Sequence, residues 1–168
     1  MSEVLTRELG TPVAGGTDAG GMGGVDGVGV MDSADSLGPL VHSLVYVPRA
    51  AAAGRVRAPL VVCCHGLGES GLRVAGIAQR LAAAGAVAVV PSFRGGGAPT
   101  AGPTTGMSVL TEIADLEAVL DAAEAWPFVD AGRTALFGRS QGGLVAALTA
   151  SRRPTRVGAL VLWYPALR

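Results

Sequence analysis

The chain has 168 residues, 49% of them hydrophobic and 15% charged, so it can bury one substantial core and is too short for two. Thirteen basic and thirteen acidic residues give a formal net charge of zero. A nucleic-acid-binding protein or a polybasic membrane segment would carry a basic excess. We therefore expect one domain that binds a small, neutral or weakly charged ligand, and neither nucleic acid nor a membrane.

The N-terminus shows no basic segment followed by an apolar one, and no apolar run reaches membrane-spanning length. These features predict a cytoplasmic protein. The two cysteines, Cys63 and Cys64, are neighbours in an apolar run, where a mutual disulfide would need strained geometry. We therefore expect buried free thiols.

Residues 1–38 differ in composition from the rest, because ten of the first forty residues are glycine. Such a stretch buries too little apolar surface to offset its chain entropy. The composition predicts a flexible Gly-rich leader over 1–38, with a short strand near Val4 to Leu9. Residues 39–168 are expected to form the domain.

From residue 40 onward, short β-branched runs alternate with Ala- and Leu-rich segments. Strands are predicted at 41–47, 60–64, 86–91, 134–137 and 159–163. Helices are predicted at 71–84, at 108–125 and from the turn at Ser140 to about residue 150, with a long loop over 93–106. Apolar strands separated by helices predict an α/β fold, a three-layer sandwich with a mainly parallel sheet.

The helix over 108–125 carries both an apolar and an acidic series. Its spacing predicts the following buried residues: Leu110, Ile113, Leu116, Leu120 and Ala123. The acidic residues are then expected to form a solvated face: Glu112, Asp115, Glu117, Asp121 and Glu124. Glu69 and Arg139, which flank the presumed pocket, are interpreted as surface charges, and Arg94 as a loop arginine that is either solvated or in a structural salt bridge.

Gly138-Arg139-Ser140-Gln141-Gly142 lies between a predicted strand and a predicted helix, the setting of a nucleophile elbow. In such a tight turn, side chains two positions either side of the serine would collide, which explains Gly138 and Gly142. Ser140 would be held in a strained conformation with its hydroxyl above the sheet. The motif predicts that Ser140 is the catalytic nucleophile, and the alternative is an ordinary turn serine.

His65-Gly66-Leu67-Gly68 follows an apolar strand and is typical of an oxyanion loop. Acyl transfer places negative charge on the carbonyl oxygen, so preorganised N–H donors are required. The backbone N–H groups of Leu67 and Gln141 are the expected donors. We expect His65, with Gly66, to support the loop rather than to act as the base, and His42 to be a surface or packing residue.

These motifs resemble the α/β-hydrolase superfamily, and within it the bacterial feruloyl or cinnamoyl esterase-like serine hydrolases, over about Val41 to Leu167. The resemblance rests on the sequences at 61–70, 91–97, 115–119 and 137–144. It implies hydrolysis of carboxylic esters through an acyl-serine intermediate, without a metal or an organic cofactor. It also implies small-molecule esters with short-chain or aromatic acyl groups as substrates, although related enzymes cleave thioesters or peptides.

The pattern breaks after the nucleophile. The family order places an acid and then a histidine after the serine, yet no Asp, Glu or His follows Ser140. The sequence therefore predicts a hydrolase truncated after its sixth strand, with impaired activity. It leaves open a fragment of a longer product, a short pseudoenzyme or a chain completed by a partner.

The truncation bears on both function and association. A noncatalytic α/β-hydrolase-like binding module is the alternative function, because a serine without a base is a weak nucleophile. The last predicted strand would leave an exposed apolar edge, which predicts self-association through that strand.

Overall fold

The computed structural model describes residues 4–13, 40–96 and 107–167. Six strands form one sheet: β1 (Val4–Pro12), β2 (Leu40–Pro48), β3 (Ala58–Cys64), β4 (Val87–Ser92), β5 (Val129–Arg139) and β6 (Val157–Trp163). The α-helices are α1 (Arg49–Ala52), α2 (Ala75–Ala83), α3 (Val109–Glu124) and α4 (Gln141–Arg152), and a 3-10 helix spans Gly71–Arg73. Each strand and helix predicted from residue 40 onward is present.

The strand order in the sheet is β1-β2-β4-β3-β5-β6. β2 runs antiparallel to both β1 and β4, whereas the β3–β4, β3–β5 and β5–β6 pairs are parallel. Parallel strands need a crossover connection: α2 connects β3 to its neighbour β4, α3 lies between β4 and β5, and α4 connects β5 to its neighbour β6. The predicted α/β class is confirmed, with a mixed sheet that is parallel from β4 to β6.

The N-terminal strand lies inside the segment predicted as a leader. β1 pairs with β2 along its whole length, from Val4 opposite Pro48 to Pro12 opposite Leu40. The short strand expected near Val4 to Leu9 is therefore a nine-residue strand of the sheet. Residues 14–39, where the other glycines of the predicted leader fall, lie outside the described residues.

Helices cover both faces of the sheet. One core lies beneath α2 and consists of Tyr46, Cys63, Val74, Ala78, Ala82, Ala88, Val90 and Phe137. The larger core lies beneath α3 and α4 and includes Leu60, Val62, Cys64, Val89, Leu116, Leu136 and Val145. Successive strand residues point to opposite faces, so Cys63 and Cys64 enter different cores as buried free thiols.

Helix α3 departs from the predicted pattern at three positions. Leu110, expected in the core, is 69% exposed, while Glu112 and Asp115, expected in solvent, are fully buried. Hydrogen bonds from Arg94 to both oxygens of Asp115, and from Gln141 to one oxygen of Glu112, replace part of the hydration that these carboxyl groups lose. The solvated face is thus restricted to the more C-terminal acids of the helix.

Those C-terminal acids pair with arginines that follow α4. Arg153 contacts Glu117 and Asp121, and Arg156 contacts Asp121 and Glu124. Exposed pairs of this kind contribute little individually, typically less than about 1 kcal/mol. They link the ends of α3 and α4 at the surface.

β6 is the last strand of the sheet and is largely exposed. Leu160, Val161 and Trp163 are 38%, 56% and 52% exposed, and β6 pairs with β5 only. The self-association expected from such an edge stays a prediction. Among the helices in the described ranges, none is both long and apolar enough to cross a bilayer.

Two leucines of α3, one buried and one exposed, provide a matched test of its orientation. Leu116 is fully buried, so Leu116→Ala should lower the unfolding free energy by about 2–5 kcal/mol. Leu110→Ala should change it by less than about 0.5 kcal/mol, because that side chain already meets solvent. Urea unfolding of both variants checks this, and equal losses would contradict the orientation of α3.

Candidate active site

Ser140 connects β5 to α4 in a conformation that is rare for a side-chain-bearing residue. Its φ is 53° and its ψ is −122°. Such positive-φ strain persists only where surrounding contacts enforce it. Ser140 N–H donates to the carbonyl oxygen of Trp163 at 3.1 Å, and its own carbonyl accepts from Gly143 N–H at 2.9 Å and from Ala166 N–H at 3.0 Å. These backbone bonds hold the residue from both sides.

The glycines around Ser140 are required by close backbone approaches. A Cβ on Gly138 would lie 2.4 Å from the carbonyl oxygen of Gly142. A Cβ on Gly142 would lie 2.3 Å from the carbonyl oxygen of His65 and 2.6 Å from that of Cys64. The sequence explains Gly142 by a collision within the serine turn. The structure shows that Gly142 also allows this turn to contact the backbone of the loop after β3.

The loop after β3 meets the turn at Ser140. A Cβ built on Gly66 would stand 3.4 Å from the Cβ of Ser140, and Leu67 follows with 66% of its surface exposed. Gly66 N–H donates to Glu69 Oε2 at 2.9 Å. Within the described ranges, the N–H groups of Leu67 and Gln141 have no hydrogen-bond partner. Two unused amide donors are therefore present in these two segments.

His65 is fully buried and both of its ring nitrogens are engaged. Phe93 N–H donates to Nε2 at 3.1 Å, so the ring proton lies on Nδ1, which donates to the carbonyl oxygen of Gly66 at 2.8 Å. Burial lowers the pKa of His65, which favours the neutral ring. The imidazole therefore connects the ends of β3 and β4 and has no free nitrogen for a proton from Ser140.

Charged side chains connect the same two loops at the surface. Arg139 Nη1 lies 2.9 Å from Glu69 Oε1 and 3.1 Å from Glu69 Oε2. The Arg139 guanidinium also bonds the Tyr164 hydroxyl and lies 5.4 Å from the centre of that ring. Because Glu69 also accepts from Gly66, this network joins the loop after β3, the serine turn and the segment after β6.

A pair of buried carboxyl groups lies behind the serine turn. Gln141 Nε2 donates to Glu112 Oε2 at 2.6 Å, and Glu112 Oε1 has no partner in the described part of the chain. Asp115 accepts from the backbone N–H of Arg94 at 2.9 Å and from Arg94 Nε at 2.6 Å. Burial raises the pKa of Glu112 to about 7 and also raises that of Asp115.

These acids were missed in the sequence, although a signal for them was present. Glu112 and Asp115 stand three residues apart and continue into Leu116, Val119 and Ala123, a series of positions on one helical face. Because the two residues are acidic, the pattern was assigned to solvent. The spacing, rather than the residue type, indicates their burial.

A groove of about 460 Å³ opens at the edge of the sheet where β4 ends. The described residues that line it are Glu8, Leu9, His42, Ser43, Leu44, Leu72 and Ser92. Since neither Ser140 nor its neighbours are among them, the groove does not contain the serine hydroxyl. Within the described ranges, no group of three or more His, Cys, Asp or Glu residues could hold a metal ion.

A family model described as serine aminopeptidase, S33, matches residues 56–168. The match covers both motifs, β3 to β6 and most of the described domain. The chain therefore belongs to this family of α/β hydrolases. A comparison with curated proteins finds no match.

Many solved structures share the fold. Est1E from Butyrivibrio proteoclasticus, solved with bound ferulic acid, has a TM-score of 0.69 at 22% identity over 77% of this chain and 50% of its own. A hyperthermophilic esterase from the archaeon Pyrobaculum calidifontis has a TM-score of 0.63 at 26% identity over 97% and 44%. A hypothetical protein from Pseudomonas aeruginosa gives 0.67 at 21% identity over 95% and 42%. The chain thus spans half or less of each of these structures.

The contact between the motifs can be tested at Gly142. Gly142→Ala should lower the unfolding free energy by about 1–3 kcal/mol, because the added Cβ meets backbone atoms that must move. Gly76→Ala in α2 is the matched control, since nothing lies within 4 Å of that position. It should stabilise the helix by about 0.5–1 kcal/mol. An unchanged unfolding free energy in Gly142→Ala, measured by thermal or urea unfolding, would contradict the observed contact.

Glu112 should make stability depend on pH. Its pKa is about 7 in the folded chain against an ordinary 4.5, so the folded state retains a proton that the unfolded state loses. Glu112 therefore does not lower the unfolding free energy below pH 4.5. As pH rises from there to about 7, it lowers the unfolding free energy by up to about 3 kcal/mol. Glu112→Gln keeps an acceptor for Gln141 without the charge.

The measurement is urea unfolding of both proteins at about pH 5 and about pH 8. From about pH 5 to about pH 8, we expect the unfolding free energy of Glu112→Gln to increase relative to that of the native chain. Comparing the two proteins cancels other titrating groups, including His65, whose lowered pKa acts in the opposite direction. Parallel pH dependences in the two proteins would show that Glu112 ionises in the folded state much as it does when unfolded.

Proposed function

We propose that the chain carries the nucleophile and oxyanion hole of a serine hydrolase of carboxylic esters. Ser140 is the nucleophile, and the N–H groups of Leu67 and Gln141 are the donors to the oxyanion. The observation that carries the proposal is the enforced positive φ of Ser140 between a strand and a helix, beside a loop with an unused amide. This geometry agrees with the elbow that acyl transfer uses.

The reaction proceeds in two displacements. Ser140 Oγ attacks the ester carbonyl carbon, the carbonyl π electrons move to oxygen, and the oxyanion accepts hydrogen bonds from the two amides. Collapse breaks the bond to the alkoxy group, which takes up the proton lost from Ser140 Oγ and leaves as the alcohol. Water then hydrolyses the acyl ester on Ser140 and releases the carboxylic acid. No metal or organic cofactor takes part in these steps.

The attack also requires a base for the hydroxyl proton. No Asp, Glu or His follows Ser140, and both nitrogens of His65 are engaged. We therefore infer that turnover by these residues alone is strongly impaired, because losing triad members removes orders of magnitude of rate. The chain supplies the nucleophile that attacks the ester carbonyl and the N–H groups that stabilise the oxyanion.

The substrate class rests on the esterase likeness. Ferulic acid is bound in the structure of Est1E, and the Pyrobaculum calidifontis protein is named an esterase. Together with the sequence motifs, these likenesses support small-molecule esters with short-chain or aromatic acyl groups.

A noncatalytic binding module is the second candidate. Residues 141–168 contain no Asp, Glu or His, so within this segment Ser140 has no partner that would activate its hydroxyl. In that case the serine turn would have a structural role only, and its N–H groups would not accelerate a reaction that forms an oxyanion. This difference separates the two candidates.

A thiol at position 140 tests the proposal without a base, because thiolates form unaided near neutral pH. In Ser140→Cys, the rate of acetylation by p-nitrophenyl acetate is divided by the rate of alkylation by iodoacetamide. Only acetylation passes through an oxyanion. We expect this ratio to exceed that of an ordinary thiol by at least about tenfold, since one oxyanion donor can contribute more than that.

The chain offers good controls for this measurement. Burial raises the pKa of Cys63 to about 12 and that of Cys64 well above its ordinary value, so both native thiols should stay unreactive. Ser151→Cys places a thiol on the exposed end of α4. Equal ratios for Ser140→Cys and Ser151→Cys would overturn the oxyanion hole. Fast p-nitrophenyl acetate hydrolysis by the native chain, lost in Ser140→Ala, would overturn the impairment.

A further inference from the structure

We propose that Glu112 is a positioning residue of the oxyanion hole, which holds the Gln141 side chain so that the Gln141 N–H faces the reacting carbonyl. This inference rests on the proposed function of Ser140. Glu112 lies on α3 and Gln141 is the first residue of α4, so the contact connects two helices immediately behind the nucleophile.

The geometry of the contact is specific. Gln141 Nε2 donates to Glu112 Oε2 at 2.6 Å, and Glu112 is fully buried. The first N–H groups of a helix have no partner within the helix, so the orientation of the Gln141 N–H depends on how the first turn is held. The Ser140 backbone bonds hold that turn from one end, and the side-chain bond to Glu112 anchors residue 141 itself.

Glu112 is an expensive choice for packing alone. A buried carboxyl with one oxygen unpartnered costs more than an apolar side chain of similar size. The groups around it do not compensate, because they are Cys64 on β3 and the acidic Asp115 on α3, whose partner Arg94 is already bound. In the described part of the chain, Gln141 is the group that Glu112 binds.

The test uses Ser140→Cys as the background and the ratio of acetylation to alkylation as the readout. Adding Glu112→Leu removes the acceptor without leaving a cavity. We expect the ratio to fall by about tenfold, because a misoriented Gln141 N–H loses part of the stabilisation that one oxyanion donor provides. Adding Glu112→Gln, which keeps an acceptor oxygen, should leave the ratio within about twofold. A role in stability alone would change unfolding but not this ratio.

A double-mutant cycle localises the effect. Gln141→Met removes the same bond from the other side and keeps the backbone N–H, so it should lower the ratio as Glu112→Leu does. The two changes together should lower it no further, because they break one interaction. Thr149→Val is the control. It removes a buried hydroxyl that has no described partner, on the same helix as Gln141, and should leave the ratio unchanged.

The outcomes separate the two proposals. An unchanged ratio in Glu112→Leu, with a high ratio retained in Ser140→Cys, would overturn the role of Glu112 and leave the proposed function standing. A ratio in Ser140→Cys no higher than in Ser151→Cys would overturn the oxyanion hole, and the role of Glu112 with it. Additive losses in the double variant would overturn the coupling through Gln141.

Discussion

The first turn of α4 lies directly against the carboxyl end of β3, and the rest of the site depends on this contact. The carbonyl oxygens of Cys64 and His65 occupy the space that a Cβ at Gly142 would need. Because close-packed backbone moves only at a cost in free energy, the serine turn and the loop after β3 are held in one relative position. That position places Ser140 beside Gly66, with an unused amide in each segment.

Buried polar side chains fix the elements around this contact. His65 joins the ends of β3 and β4, and Glu112 and Asp115 join α3 to α4 and to the loop after β4. Each is hydrogen-bonded to a neighbouring element, so its geometry is restricted. The sheet supplies the strand ends, and these side chains hold the connecting segments in register above them.

The sequence predicted what depends on local pattern. The turn at Ser140 and the loop at His65 were recognisable because glycine spacing and strand ends are encoded in a few adjacent residues. The antiparallel pairing of β1 lay beyond such reasoning, because it joins strands separated by a glycine-rich stretch. Glu112 was misassigned because its acidic side chain was given more weight than its helical spacing, and its partner Gln141 lies 29 residues away. Long-range partners of polar groups are what the pattern cannot show.

The most direct test of the account is the NMR amide spectrum of Ser140→Cys before and after acetylation of its thiol. If the acyl carbonyl enters the oxyanion hole, the amide protons of Leu67 and Gln141 should both move downfield as they gain an acceptor. Gly66 N–H, which is bound to Glu69, should stay in place. Unchanged Leu67 and Gln141 resonances would contradict the account, because the acyl group would then lie outside the hole.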